Sequence, residues 1–184
     1  DVRDQVNLPS LSELPRPPNA LVTDTDTVSE GKLLETYRDF VLDLYTGMYL
    51  RQLTSNTCYS DVHCQLGEGL DTLKLTMSCG TIVEFPLVSV SKVNRFVKHC
   101  DRWFGDTAVV RSTSVEVEHV VIIEFQRRKL AFSFIDLQVA QRFLMCMDLI
   151  TRSVLQKQEK FPIGRWTFSG SSDSSTDSPR SNGF

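Results

Sequence analysis

Long hydrophobic runs, paired cysteines and internal repeats are missing from this 184-residue sequence. No run of about 18 apolar residues occurs, so no transmembrane helix is predicted, and no period suggests a coiled coil or a solenoid. The five cysteines are an odd number without a Cys-x-x-Cys pair, which argues against a disulfide framework and favours a reducing compartment. With 41% hydrophobic and 23% charged residues, the composition is typical of one soluble or peripherally bound domain with unpacked ends.

Catalytic and metal-binding motifs are also missing. The chain has three histidines, no Gly-x-Ser-x-Gly, no phosphate-binding glycine loop and no paired carboxylates, so catalysis is not expected. His63 precedes Cys64 and His99 precedes Cys100, but adjacent strand residues point to opposite faces, so neither pair is expected to hold a metal or form a nucleophile. A pI near 5.6 disfavours nucleic acid. We therefore expect no catalytic residue, metal, cofactor, nucleic acid or small-molecule substrate.

Charge divides the chain into three parts. Residues 1–31 hold six acidic and two basic side chains, residues 32–157 hold 14 and 15, and residues 158–184 hold three of each. Four prolines interrupt the first part and seven serines follow position 168, so neither end is expected to build a core. The predicted domains are an acidic, proline-containing leader at 1–27, a folded domain at 28–160 and a serine-rich disordered tail at 161–184.

The folded part is predicted to open with a helix and to continue as strands. Apolar residues between Leu33 and Leu44 recur at helical spacing, behind Ser29 as a suitable cap, and Gly47 follows them. Short runs rich in apolar and β-branched residues then predict seven strands. These strands lie at 48–53, 59–66, 72–78, 81–85, 87–93, 119–125 and 129–134.

Two hairpins and a closing helix complete the predicted order. Cys79-Gly80 is typical of a tight turn in which glycine takes a positive φ, and residues 126–128 form a second turn with a basic tip. Asp136 is a suitable cap for a helix of about five turns. Its predicted apolar face consists of Val139, Ala140, Phe143, Leu144, Met147, Ile150 and Val154.

This order resembles a pleckstrin-homology-like domain. Residues 119–156 resemble the end of that superfamily's fold, and Gly80-Thr-Ile-Val-Glu-Phe-Pro-Leu-Val-Ser-Val resembles its fourth and fifth strands. The resemblance covers about residues 47–157, with Phe143 in place of the tryptophan that usually anchors the closing helix. It implies a mainly β fold, namely a seven-stranded antiparallel barrel capped by a C-terminal helix, with a short helix before the first strand.

Within this superfamily, the short first helix and the polar ends resemble the inner membrane complex sub-compartment proteins of apicomplexan parasites. That resemblance implies a small non-enzymatic protein on the cytoplasmic face of the inner membrane complex, attached there by N-terminal myristoyl and palmitoyl groups. The sequence begins at Asp1, so we expect the acylated residues upstream of it, and we expect a cytosolic location without acylation.

A phosphoinositide headgroup site needs several Lys or Arg side chains around the loop between the first two strands. Arg51 is the only full positive charge from residue 48 to residue 66, joined by His63 and by Lys74 on the next strand. These three are weak candidates for a vestigial headgroup site. Solvated outward positions on half-buried strands are the favoured explanation of all three.

The second hairpin carries the stronger basic feature. Arg127, Arg128 and Lys129 form a candidate patch facing a membrane or a partner, and each base is worth about 1 kcal/mol near an anionic surface. Hairpin tips also carry charged residues simply because they are exposed to solvent. Other bases are dispersed near Trp103 and Phe104: Lys92, Arg95, Lys98 and Arg102.

The sequence therefore predicts a non-catalytic peripheral membrane scaffold or adaptor that presents its domain to protein partners of unknown identity. Two alternatives stay open. One is a phosphoinositide-binding lipid sensor, and the other is a soluble adaptor that takes a peptide in the groove between the barrel and the closing helix. The scarcity of bases in the first loop favours the scaffold.

Overall fold

The computed structural model describes residues 27–55, 57–100, 102–105 and 117–160. Within these ranges the chain forms two helices and eight strands. In order, they are α1 (Thr27–Thr46), β1 (Met48–Leu53), β2 (Tyr59–Leu66), β3 (Thr72–Thr76), β4 (Ile82–Pro86), β5 (Val90–His99), β6 (Arg102–Gly105), β7 (Glu118–Phe125), β8 (Lys129–Phe134) and α2 (Leu137–Lys160). The predicted leader, apart from residue 27, and the predicted tail lie outside the described residues.

The eight strands form one antiparallel sheet in the order β4-β3-β2-β1-β8-β7-β5-β6. Four strands separate β4 from β7 in this order, yet the rings of Phe85 and Phe125 lie 5.1 Å apart. A flat sheet would place β4 and β7 about 24 Å apart. The sheet therefore bends back on itself around a core of aliphatic and aromatic side chains.

This architecture confirms the predicted mainly β fold, an antiparallel sheet with a helix before its first strand and a helix after its last strand. The predicted count of seven strands is wrong, because β6 adds an eighth strand beside β5. The fifth strand also begins later and runs further than predicted. Leu87–Ser89 form a 3-10 turn between β4 and β5, and the Leu87 N–H donates to the Asp71 carbonyl beside the last β3–β4 pair, Thr72 and Pro86.

Helix α1 ends where the sequence indicates and begins earlier. It starts at Thr27, two residues before Ser29, so Ser29 is not its cap. Gly47 ends it at a φ of 102°, and the Gly47 N–H donates to the Asp43 carbonyl. A Cβ on Gly47 would collide with the imidazole of His63, so the turn into β1 requires glycine for two separate reasons.

Helix α2 is capped by Asp136, as predicted. The Asp136 carboxylate accepts hydrogen bonds from the backbone N–H groups of Gln138 and Val139, at 2.6 and 3.1 Å. Placing Val139 on the buried face is wrong, because its side chain is 52% exposed. No helix among the described residues is long and apolar enough to cross a bilayer.

Phe143 is the aromatic anchor of the closing helix. Its ring lies 5.6 Å from Phe40 on α1, 5.6 Å from Phe132 and 5.1 Å from Phe134 on β8. The Phe143 side chain is almost fully buried. It therefore joins both helices to the sheet.

We predict that Phe143→Ala lowers the free energy of unfolding by about 3 to 5 kcal/mol, because a large cavity opens among three other rings. A domain has only about 5 to 15 kcal/mol in total. Urea unfolding followed by circular dichroism measures the loss. Val139→Ala is the matched control on the exposed side of α2, with an expected change within about 0.5 kcal/mol. Equal losses in both variants would contradict this assignment of the buried face.

Candidate functional site

The three weak headgroup candidates lie on one face of the sheet. Cross-strand pairing places Arg51 opposite Asp61, His63 opposite both Tyr49 and Thr76, and Lys74 opposite Gln65. Paired residues project from the same face, and that face is opposite to the one that carries the core. We call it the outer face. Arg51, His63 and Lys74 are diagonal neighbours on it, in steps of about 7 to 8 Å.

Each of these three side chains already has a contact within the protein. The guanidinium of Arg51 lies 4.2 Å above the Tyr59 ring, and the Lys74 ammonium lies 3.3 Å from the Glu84 carboxylate. The His63 ring lies 5.0 Å from that of Tyr49. Shared placement on one face therefore does not create a cluster of bases aimed at one anion.

The basic tip lies apart from these residues. Arg127 and Arg128 are exposed in the turn between β7 and β8, and the Lys129 ammonium lies 3.1 Å from the Glu124 carboxylate. Arg51 pairs with Ser133, which is five residues beyond Arg128, or about 17 Å of extended strand. The structure thus separates the two sets of candidate residues.

Lys98, which the sequence suggested as a dispersed surface base, is instead buried on the outer face. Its ammonium donates a 2.8 Å hydrogen bond to the Tyr59 hydroxyl, which in turn donates a 2.7 Å bond to the Glu118 carboxylate. Ser133 donates to the other oxygen of Glu118. We call Tyr59, Lys98, Glu118 and Ser133 the outer polar network. The Lys98 side chain is only 7% exposed and that of Glu118 is 22% exposed.

The charges of the outer polar network stabilise one another. Burial by itself would raise the pKa of Glu118, but hydrogen bonds from Ser133 and Tyr59 and the charge of Lys98 outweigh it and lower that pKa. Burial would lower the pKa of Lys98, but the bond to Tyr59 and the charge of Glu118 raise it. The network is therefore a satisfied ion pair that connects β2, β5, β7 and β8, and it has no unused charge for a ligand.

Histidine and cysteine form one contact that the sequence did not predict. Cys64 is buried and His63 is half-buried on the opposite face, as expected for neighbours on a strand. Cys100 instead follows the end of β5 with a φ of 51°, and its Sγ lies 4.0 Å from the His99 Nε2. The predicted divergence of that pair is wrong because the chain turns there. The described residues contain no group of three or more His, Cys, Asp or Glu side chains placed to hold a metal ion.

A small cavity lies where α1, α2 and the end of β2 meet. Tyr37, Leu66, Leu70, Ile150 and Lys157 contribute to its lining, and its volume is about 10 Å³. That volume is enough for about one water molecule. It is far too small for an inositol phosphate or for a large peptide side chain.

Two solved structures are similar to this chain. Inner membrane complex sub-compartment protein 3 of Toxoplasma gondii matches with a TM-score of 0.46 and 17% sequence identity, covering 67% of this chain and 86% of that chain. Sub-compartment protein 1 of the same organism matches with a TM-score of 0.45 and 12% identity, covering 72% and 98%. Comparison with protein-family models finds no match, and comparison with curated proteins finds none either.

We predict that Glu118→Gln lowers the free energy of unfolding at pH 7 by about 2 to 3 kcal/mol, because the buried Lys98 loses its charged partner. Glu118 has a lowered pKa, so its contribution is complete above its unfolded value near 4.5 and is lost as pH falls through the folded value. Lys98 has a raised pKa, so its contribution is complete below its unfolded value near 10.5 and is lost as pH rises through the folded value.

Urea unfolding from pH 7 to pH 3 measures this effect. The difference between the wild-type protein and Glu118→Gln should shrink steadily below pH 4.5 as Glu118 is protonated. Glu84→Gln removes the acid of the exposed Lys74 pair and is the matched control, with an expected loss below about 1 kcal/mol. A pH-independent difference for Glu118→Gln would contradict the assigned role of its charge.

Proposed function

We propose that this chain is a non-catalytic scaffold whose pleckstrin-homology-like domain presents a surface to protein partners at a membrane. One observation carries the proposal. The bases nearest the first loop are already engaged, with Arg51 over Tyr59 and Lys74 beside Glu84. A headgroup with several phosphates needs converging, uncommitted bases, so the geometry supports a scaffold better than a lipid sensor.

The surface at the junction of β8 and α2 is suited to contact with a protein partner. Ile135, Leu137 and Val139 are exposed at the junction of β8 and α2. Neighbouring exposed apolar side chains are typical of surfaces that other proteins cover. This junction supports the partner-presenting role, and the partner itself is a protein of unknown identity.

Membrane attachment in this proposal comes from acyl chains on residues that precede Asp1. One myristoyl chain gives only marginal attachment, so a second lipid is needed for stable residence. The net charge of residues 32–157 is +1, from 15 bases and 14 acids, which adds little attraction to an anionic leaflet. The sequence resemblance implies the cytoplasmic face of the inner membrane complex, and this is the location we propose.

We predict that the chain beginning at Asp1 sediments no better with phosphatidylcholine vesicles containing phosphatidylinositol bisphosphate than with vesicles of equal charge containing phosphatidylserine. The reason is that the described residues contain no cluster of uncommitted bases that could surround the headgroup phosphates. Arg51→Ala and Lys74→Ala, which remove the two full charges of the candidate headgroup site, should each leave sedimentation unchanged. Headgroup-dependent sedimentation that Arg51→Ala abolishes would establish the lipid-sensor alternative.

We further predict that a fluorescent fusion including the residues encoded before Asp1 locates to membranes, and that an inhibitor of N-myristoylation releases it to the cytosol. Loss of one acyl chain removes about 0.8 kcal/mol per buried methylene, which the weak charge of the domain does not replace. The control is the fusion that begins at Asp1, which should be diffuse. A longer fusion that is cytosolic without inhibitor would support the soluble adaptor instead.

A further inference from the structure

A row of four side chains crosses the outer face of β1, β2, β3 and β4, with exposed ends and a half-buried middle. Register places Tyr49 opposite His63, His63 opposite Thr76, and Thr76 opposite Ile82. The two ends of the row are large and open, with Tyr49 81% exposed and Ile82 61% exposed. The row spans three strand spacings, or about 14 Å. We call these four residues the outer row.

We propose that residues 161–168 of this chain bind across the outer row. Their sequence is Phe-Pro-Ile-Gly-Arg-Trp-Thr-Phe, which contains four large apolar side chains in eight positions. The 16 residues after them contain seven serines and no large apolar residue before Phe184. A short apolar segment next to a polar stretch is suited to covering exposed apolar side chains such as Tyr49 and Ile82.

Segment 161–168 begins close enough to reach the outer row. Lys157 and Val154, in the last turns of α2, line the same small cavity as Leu66. Leu66 is the last residue of β2 and lies three residues from His63, which is about 10 Å along the strand. Eight extended residues span at most about 26 to 29 Å. Leu66 is buried on the core face, so the segment must also pass around the end of β2, and its length allows this within its own domain.

A charge beside the outer row also favours this occupant. Asp61 is exposed and lies two residues before His63 on β2, so both project from the outer face. Its cross-strand neighbour Arg51 stacks on Tyr59, and Asp61 forms no ion pair with any described residue. Arg165 is the only charged residue of segment 161–168. The segment thus supplies one cation next to one uncompensated carboxylate.

Tryptophan fluorescence tests this contact directly. The chain has two tryptophans, Trp103 and Trp166, so Trp103→Phe leaves Trp166 as the only indole. In that background we expect a blue-shifted emission and acrylamide quenching reduced at least threefold relative to a free tryptophan amide. Adding Tyr49→Ser and Ile82→Ser should shift the emission red and restore full quenching. Far-ultraviolet circular dichroism confirms that each variant is folded.

The matched control adds Leu137→Ser and Val139→Ser to the same background, because these exposed apolar residues lie at the other end of α2 from residue 161. It should leave Trp166 protected. Asp61→Asn should weaken the protection, whereas Glu84→Gln should not. Three results would each overturn the proposal: full quenching of Trp166 in Trp103→Phe, no response to the outer-row substitutions, or protection that disappears on dilution and so comes from a second copy.

Discussion

Phe143 packs against Phe40 of α1 and against Phe132 and Phe134 of β8, so a single ring holds both helices on the sheet. A bent sheet leaves one end of its core open, and α2 closes that end with an apolar side that would otherwise face water. Phe143 contacts rings from α1 and β8, so the closing helix also holds α1 in place. Asp136 starts α2 immediately after β8, which leaves the helix little freedom in how it meets the sheet.

Local features of this fold were predictable from the sequence because their causes are local. Gly80 takes the positive φ of the hairpin between β3 and β4, at 82°, and only the residues around it are needed to see why. The cap at Asp136 depends likewise on the next three residues. The strand β6 was missed because Arg102–Gly105 contains only four residues and joins the sheet through the edge of β5 rather than through its own pattern.

The outer polar network was beyond prediction because its members are distant in sequence. Tyr59 and Glu118 are separated by 59 residues, and Lys98 and Tyr59 by 39. A lysine between apolar residues is read as exposed because lysine is rarely buried without a partner. Its partners meet it only after β2, β5, β7 and β8 assemble, so burial of Lys98 is a consequence of tertiary structure and not of any spacing around it.

The two edges of the sheet have a consequence for assembly between molecules. Among the described strands, β4 and β6 occupy the edges, and they contain only five and four residues. Pro86 ends β4 without an N–H to offer a new strand, and the exposed Arg102 places a charge on β6. Short edges that carry proline or charge disfavour edge-to-edge sheet extension. Molecules at high local concentration would therefore be protected from merging their sheets into fibrils.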